Sequence, residues 1–513
     1  MKRFISTIAI LLFFANAVFP QAQSDSLIRF SDLKFHSDFE KKSFSNFVKL
    51  HKDTFQLLLA IDENMTQEIA RKLETTFNRT LNELDQKDIQ SKKINKQIKI
   101  IYPDIHSRFL KKYNNNEYFP VTIQSGMYNC VSASMLYAMA FDHFKIPYKV
   151  MASSNHVYLV ANPGDHSIVI ETTNPGFEKT IFTGDFKQQY VNNLRTSKLI
   201  SEDDYKNKSV EEIFEEKFNE VKDADLFNLP GFQYYNKALT KLQNNDREAA
   251  LSLAQKAYFF YPAQQVKTLL NIALLLQIEK CNFDKVNDID YLAQFSRFEN
   301  TDKTAVIGIF TNIINHFLQY TDKESYCDSL YQRLSAEISD KSLKEEICFS
   351  FNMQMSYRYQ NSDKIEKYVT RALSIKGNYH NAIVLFENYL NRKLYRISNP
   401  YALLDSIKRL DEQYHFAGIM PILRDQKSVA YLRIASDLIE QKKPNTSEKY
   451  LTEFEKNCTL PITNEIVEFQ IANTYRSIAV YYLYKGYKTK AINYVNRGLK
   501  YVPNNALLKS AVY

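Results

Sequence analysis

The sequence has little cysteine for its length. Five residues in 513, Cys130, Cys281, Cys327, Cys348 and Cys458, are scattered along the chain without a CxxC pair. So few and so dispersed, they speak against a disulfide scaffold and against a cysteine-ligated metal site. Long apolar runs are also scarce: beyond residue 22 no stretch approaches the roughly 20 residues needed to cross a bilayer, so no stable membrane insertion is expected of the mature chain. Clustered charge is missing as well. The net charge of +8 is spread over 66 basic and 58 acidic residues, with basic runs no longer than Lys92-Lys93 or Lys111-Lys112, which argues against a nucleic-acid footprint. No acidic loop has calcium-ligand spacing, and a site free of metal and cofactor is expected.

What is present begins at the N-terminus. Met1-Lys2-Arg3 precede an apolar stretch from Phe4 to Phe19, with small residues at Ala15, Ala17 and Ala22. That order is a secretory signal peptide, which predicts cleavage near Ala17 or Ala22 and a periplasmic or extracellular protein. An odd cysteine count in an oxidising compartment leaves at least one thiol unpaired, and Cys130 is the candidate because its surroundings look chemical.

Three regions come after the leader at 1–22. Residues 23–98 are polar and helix-favouring, with Phe47, Leu50, Phe55, Leu58 and Leu59 at helical spacing, and are expected to form a helical region. Residues 99–200 carry an α-then-β pattern. Residues 201–513 read as successive amphipathic helices, and two segments have tetratricopeptide spacing: Tyr234 to Pro262, with Ala238, Ala250 and Ala257, and Tyr475 to Pro503, with Ala479, Gly486 and Ala491. Small residues let two helices approach closely, and proline stops the second. Lys364 to Ile375 and Ser428 to Phe454 read as diverged helical pairs. Stacked repeats offer a concave surface for a protein or peptide; a rigid spacer is the other reading.

The middle region holds the candidate chemistry. Tyr128 to Ala140 reads as a buried helix, with Asn129 as N-cap, Gly126 at its entry and Pro147 past its end. Cys130 is then its first residue, where unpaired N–H groups and the helix dipole favour a thiolate. A lone cysteine there is as readily a small core residue, so its neighbours decide. Two strand-like runs, Asn155 to Ala161 and His166 to Glu171, flank the turn Asn162-Pro163-Gly164-Asp165. A hairpin symmetric about Pro163-Gly164 sets His156 directly opposite Glu171, with Cβ atoms about 5 Å apart on one face. Glu171 can then orient the imidazole while its other nitrogen serves the thiol, as in a catalytic triad. His166 falls on the opposite face and His143 at the far end of the helix. Gln124, six residues before Cys130 in a segment read as extended, is a candidate oxyanion donor alongside the Cys130 N–H; a plain surface glutamine is the alternative. A zinc site from Cys130, His156 and Glu171 has only three ligands and no CxxC or HxxxH pairing to pre-form it.

Asn129-Cys130-Val131-Ser132, Ser134, Leu136-Tyr137, then Ile146-Pro147 before a strand, His156 and Glu171 resemble bacterial transglutaminase-like proteins of the papain-like superfamily over about residues 100 to 180. The resemblance implies an α+β domain with a nucleophile helix packed on an antiparallel sheet, followed here by an all-α solenoid. It also implies Cys130 as nucleophile, His156 as general base, Glu171 as orienter, and amide hydrolysis or acyl transfer as the chemistry. Glu171 stands where aspartate is more usual, and Tyr158 where an aromatic, commonly tryptophan, follows the histidine. These departures set the calcium-dependent cross-linking enzymes aside as a model. The competing expectation is a quiet domain in a repeat-based interaction scaffold.

Overall fold

The computed structural model describes residues 27–50, 53–152, 156–163, 167–173, 187–188, 191–192, 195, 200–218, 222–299, 301–320 and 323–511. The expected leader lies outside them. The chain is mostly helical with a small antiparallel sheet, and it divides into two compact units, Met1–Asn282 and Phe283–Tyr513. No described helix is long and apolar enough to cross a membrane.

The first unit opens with four helices, α1 (Asp38–Leu50), α2 (Thr54–Leu59), α3 (Gln67–Asp85) and α4 (Ile94–Phe109). Their apolar stripes go inward: Phe47, Phe55, Leu58 and Leu59 are all buried, and Thr66 caps α3 by accepting from the Ile69 N–H. The boundary expected at 98/99 cuts through α4, so no linker separates the helical region from the cysteine-bearing region. Next come β1 (Lys112–Tyr113), α5 (Phe119–Ser125), β2 (Met127–Tyr128) and α6 (Cys130–His143). The segment read as extended before Gly126 is therefore helical. Pro120 sits in the first turn of α5, and Gly126, at φ 81°, ends it in the left-handed conformation, which suits glycine because it has no Cβ.

After α6 the chain forms a four-stranded antiparallel sheet in the order β5-β4-β3-β6, from β3 (Tyr148–Ala152), β4 (Val157–Ala161), β5 (Ile168–Ile170) and β6 (Lys222–Ala224). Helix α6 packs on β3 and β4. It is buried almost all round, and its interior Ser134 donates to the Val157 carbonyl at 3.3 Å. Two helices then pair, Leu229–Gln243 and Arg247–Phe260, and Gln264–Lys280 packs on the second. Ala238, Ala250, Ala254 and Ala257 are fully buried between them. Gly231 gives the closest approach, since a Cβ there would lie 2.6 Å from the Tyr261 Cβ. This pair belongs to the first unit rather than to the helices of the second. A carboxylate and an ammonium hold it there: Lys256 meets Glu40 of α1 at 2.8 Å, both essentially without solvent.

The second unit is helical throughout its described residues. Neighbours in sequence pair in space, as with Lys341–Arg358 and Ile365–Ile375, Met420–Glu440 and Pro444–Asn457, and Glu465–Tyr484 and Lys488–Leu499. One continuous apolar core runs from Phe349 to Leu508 and includes the small residues Ala479 and Ala491.

Candidate active site

Cys130 is the first residue of α6, and the helix start is built by Asn129. Its side chain accepts from the Ser132 N–H at 2.9 Å, while the Ser132 hydroxyl accepts from the Asn129 N–H at 3.0 Å. This reciprocal cap satisfies two end groups and leaves the Cys130 N–H without an acceptor among the described residues. The Asn129 amide also donates to the carbonyls of Asn115 and Glu117, at 3.1 and 2.8 Å. It thereby ties the polar loop after β1 to the start of the helix.

The hairpin differs from expectation in register. Leu159 pairs with Ile170 and Ala161 with Ile168, so the ladder, continued, puts Thr173 opposite His156 and Tyr158 opposite Glu171. The slip is two residues, which keeps the faces unchanged because side chains alternate with period two. His156 and Glu171 become diagonal neighbours just beyond the strand ends. From there the imidazole Nε2 meets Glu171 Oε2 at 2.9 Å, with the two side chains 25% and 15% exposed. Gly164, Asp165 and His166, which decide the turn, lie outside the described residues.

Glu171 is fixed on every side. Its Oε1 accepts from the Thr173 hydroxyl at 2.6 Å and the Thr173 N–H at 3.2 Å. Its main-chain carbonyl accepts from Tyr102 of α4 at 2.7 Å, and Tyr102 is stacked on Tyr137 of α6 with centroids 4.9 Å apart. Burial alone would raise the Glu171 carboxyl, but His156 and Thr173 outweigh it and hold it below its ordinary value. Burial likewise pulls the His156 imidazole down, yet hydrogen bonds from the ring to Cys130 and to Glu171, and the charges of both, push it up to about 10. The ring of Tyr158 lies alongside at 6.0 Å.

These directions fix a pH window. The His156 contribution to stability is complete below 6.5 and is lost as pH rises through about 10; the Glu171 contribution is complete above 4.5 and is lost as pH falls through its lowered value. The pair therefore stabilises the fold most between about pH 4.5 and 6.5. Urea midpoints of the native chain and of Glu171→Gln should differ most in that interval and converge near pH 10; a gap that widens above pH 8 contradicts the charge pairing.

The other sequence candidates lie on helices. Gln124 is exposed on α5 and makes no side-chain hydrogen bond among the described residues. His143 pairs with Asp85 at 2.7 Å at the far end of α6. A residue that sequence reasoning missed is Tyr113, whose phenol lies close enough to the Cys130 thiol for the two to interact. It is brought there by a two-residue parallel ladder that pairs Tyr113 with Tyr128, too short to leave a hydrophobic pattern. All five cysteines are free thiols. Among the described residues no group of three or more His, Cys, Asp or Glu side chains is placed to hold a metal ion.

Comparison with known proteins gives no further lead: no family model matches the chain, and no curated protein is significantly similar to it.

Proposed function

We propose that the first unit carries a cysteine-dependent amide-bond enzyme of transglutaminase-like, papain-like type, exported from the cell, whose helical repeats of tetratricopeptide type present a protein or peptide substrate. The observation that carries this reading is one imidazole held between a carboxylate, at 2.9 Å, and a thiol at a helix N-terminus. The Cys130 thiolate attacks the carbonyl carbon, His156 delivers its proton to the leaving amine, and water or a second amine takes the acyl group from sulfur. Glu171 keeps the imidazole oriented and charged. Water, always at hand, makes hydrolysis the simpler outcome.

The test uses p-nitrophenyl acetate as an acyl donor on the full chain, with adducts located by peptide mass spectrometry. Acetylation of Cys130 well ahead of Cys281, Cys327, Cys348 and Cys458 is expected, and Cys130→Ala should lose the release of nitrophenol that accompanies it. Equal or absent labelling at Cys130 would remove the enzyme reading. A second reading, a quiet domain in an interaction scaffold, draws on the second unit, where Leu460, Ile466 and Phe469 are each at least 60% exposed. Such side chains on a helical surface suit partner capture, and full biological effect from the Cys130→Ala chain would favour it.

A further inference from the structure

We propose that Tyr113, with the Cys130 N–H, forms the oxyanion hole of this site, a role that rests on the amide-bond reading above. The ring stands edge-on against Tyr128, with centroids 5.6 Å apart. Its backbone is pinned on both sides, by the Lys112 N–H donating to Gly126 at 3.1 Å and the Asn114 N–H donating to Tyr128 at 2.8 Å. The ladder thus sets Tyr113 beside the strand that leads directly into Cys130, and its phenol lies in the neighbourhood of the thiol. Partial desolvation, then the neighbouring Cys130 and Glu171 side chains, hold this phenol above its ordinary value. It therefore stays protonated and acts as a donor.

When sulfur adds to a carbonyl, the C–S bond forms and the π pair moves onto oxygen, so negative charge leaves sulfur for an atom beside it. A donor beside the sulfur is placed to follow the charge. The unpaired Cys130 N–H supplies the second hydrogen bond. Collapse of the tetrahedral species returns the pair to carbon and expels the leaving group, which takes its proton from His156 when it is an amine.

Two reagents separate this role from a merely structural one. Iodoacetamide alkylates sulfur by displacement at a saturated carbon and makes no oxyanion; p-nitrophenyl acetate makes one. Tyr113→Phe keeps the ring packing and removes the hydroxyl. The expected result is acylation of Cys130 slowed by about 10²–10³-fold, with alkylation within about threefold of the native rate, which also shows that the variant is folded. Acylation at the native rate overturns the assignment and leaves the nucleophile intact. Acceleration of both reactions overturns it in favour of a plug over the thiol, and loss of both in favour of a purely structural tyrosine. If native Cys130 is not acylated at all, the amide-bond reading and this one fall together.

Discussion

Replacing His156 by alanine slows alkylation of Cys130 at pH 7 by about 30-fold. An unassisted thiol is only a few per cent ionised at that pH, and a charged imidazole beside a cysteine favours its reactive form. The structure gives reason to expect the charged imidazole, because Glu171 and Cys130 together lift His156 to about 10 in spite of its burial. The deficit should therefore close with rising pH, and the two chains should label at similar rates above about pH 10, where His156 sheds its proton. Glu171→Gln keeps a hydrogen-bond acceptor and removes the charge, and so should fall between the two. Labelling rates at several pH values, read at the Cys130 peptide, decide the matter; identical rates for the native and His156→Ala chains at pH 7 would mean that the histidine does nothing for the thiol.

Lys256→Ala destabilises the first unit by about 3–5 kcal/mol, the cost of leaving a buried charge unpaired. Glu40 is fully buried. It accepts from Lys256 with both carboxylate oxygens, at 2.8 and 2.9 Å, from the Tyr234 hydroxyl at 3.0 Å, and from the His36 N–H at 2.9 Å. Burial works to raise its carboxyl, but His36 and Lys256 prevail and keep it below its ordinary value. Removal of the ammonium strips away the charge that balances this buried carboxylate. The paired change Glu40→Leu with Lys256→Met should recover most of the loss, since an apolar pair of similar volume often does as well as a buried ion pair. Denaturant unfolding of the three chains measures this, and a loss under about 1 kcal/mol for Lys256→Ala would place the pair among solvated ones.

What the sequence discloses and what it hides divide along the reach of each interaction. The cap at Asn129, the helix from Cys130 and the small residues between helices are set by neighbours a few positions apart, and they read directly from spacing. The shared face of His156 and Glu171 is also legible, because parity survives any slip of two. The register itself is not, since the turn sets it and symmetry about Pro163-Gly164 is only one solution. Gln124 reads wrongly as extended because Phe119, Val121 and Ile123 alternate as in a strand, while Pro120 in the first turn and Gly126 at the end mark a short helix. Tyr113 and Lys256 lie beyond reach for a different reason. Each meets its partner only after distant chain comes together, and neither sits in a pattern that announces it.

Gln233 carries a last consequence. Its buried amide accepts from the Phe119 N–H at 2.8 Å and donates to the Leu58 carbonyl at 3.1 Å, so one side chain closes three stretches of chain at the start of α5. During synthesis those polar groups must wait for residue 233 to emerge. Until then α5, which α6 packs against, lacks the bond that Gln233 supplies. The start of α5 is in this sense completed late, by translation itself.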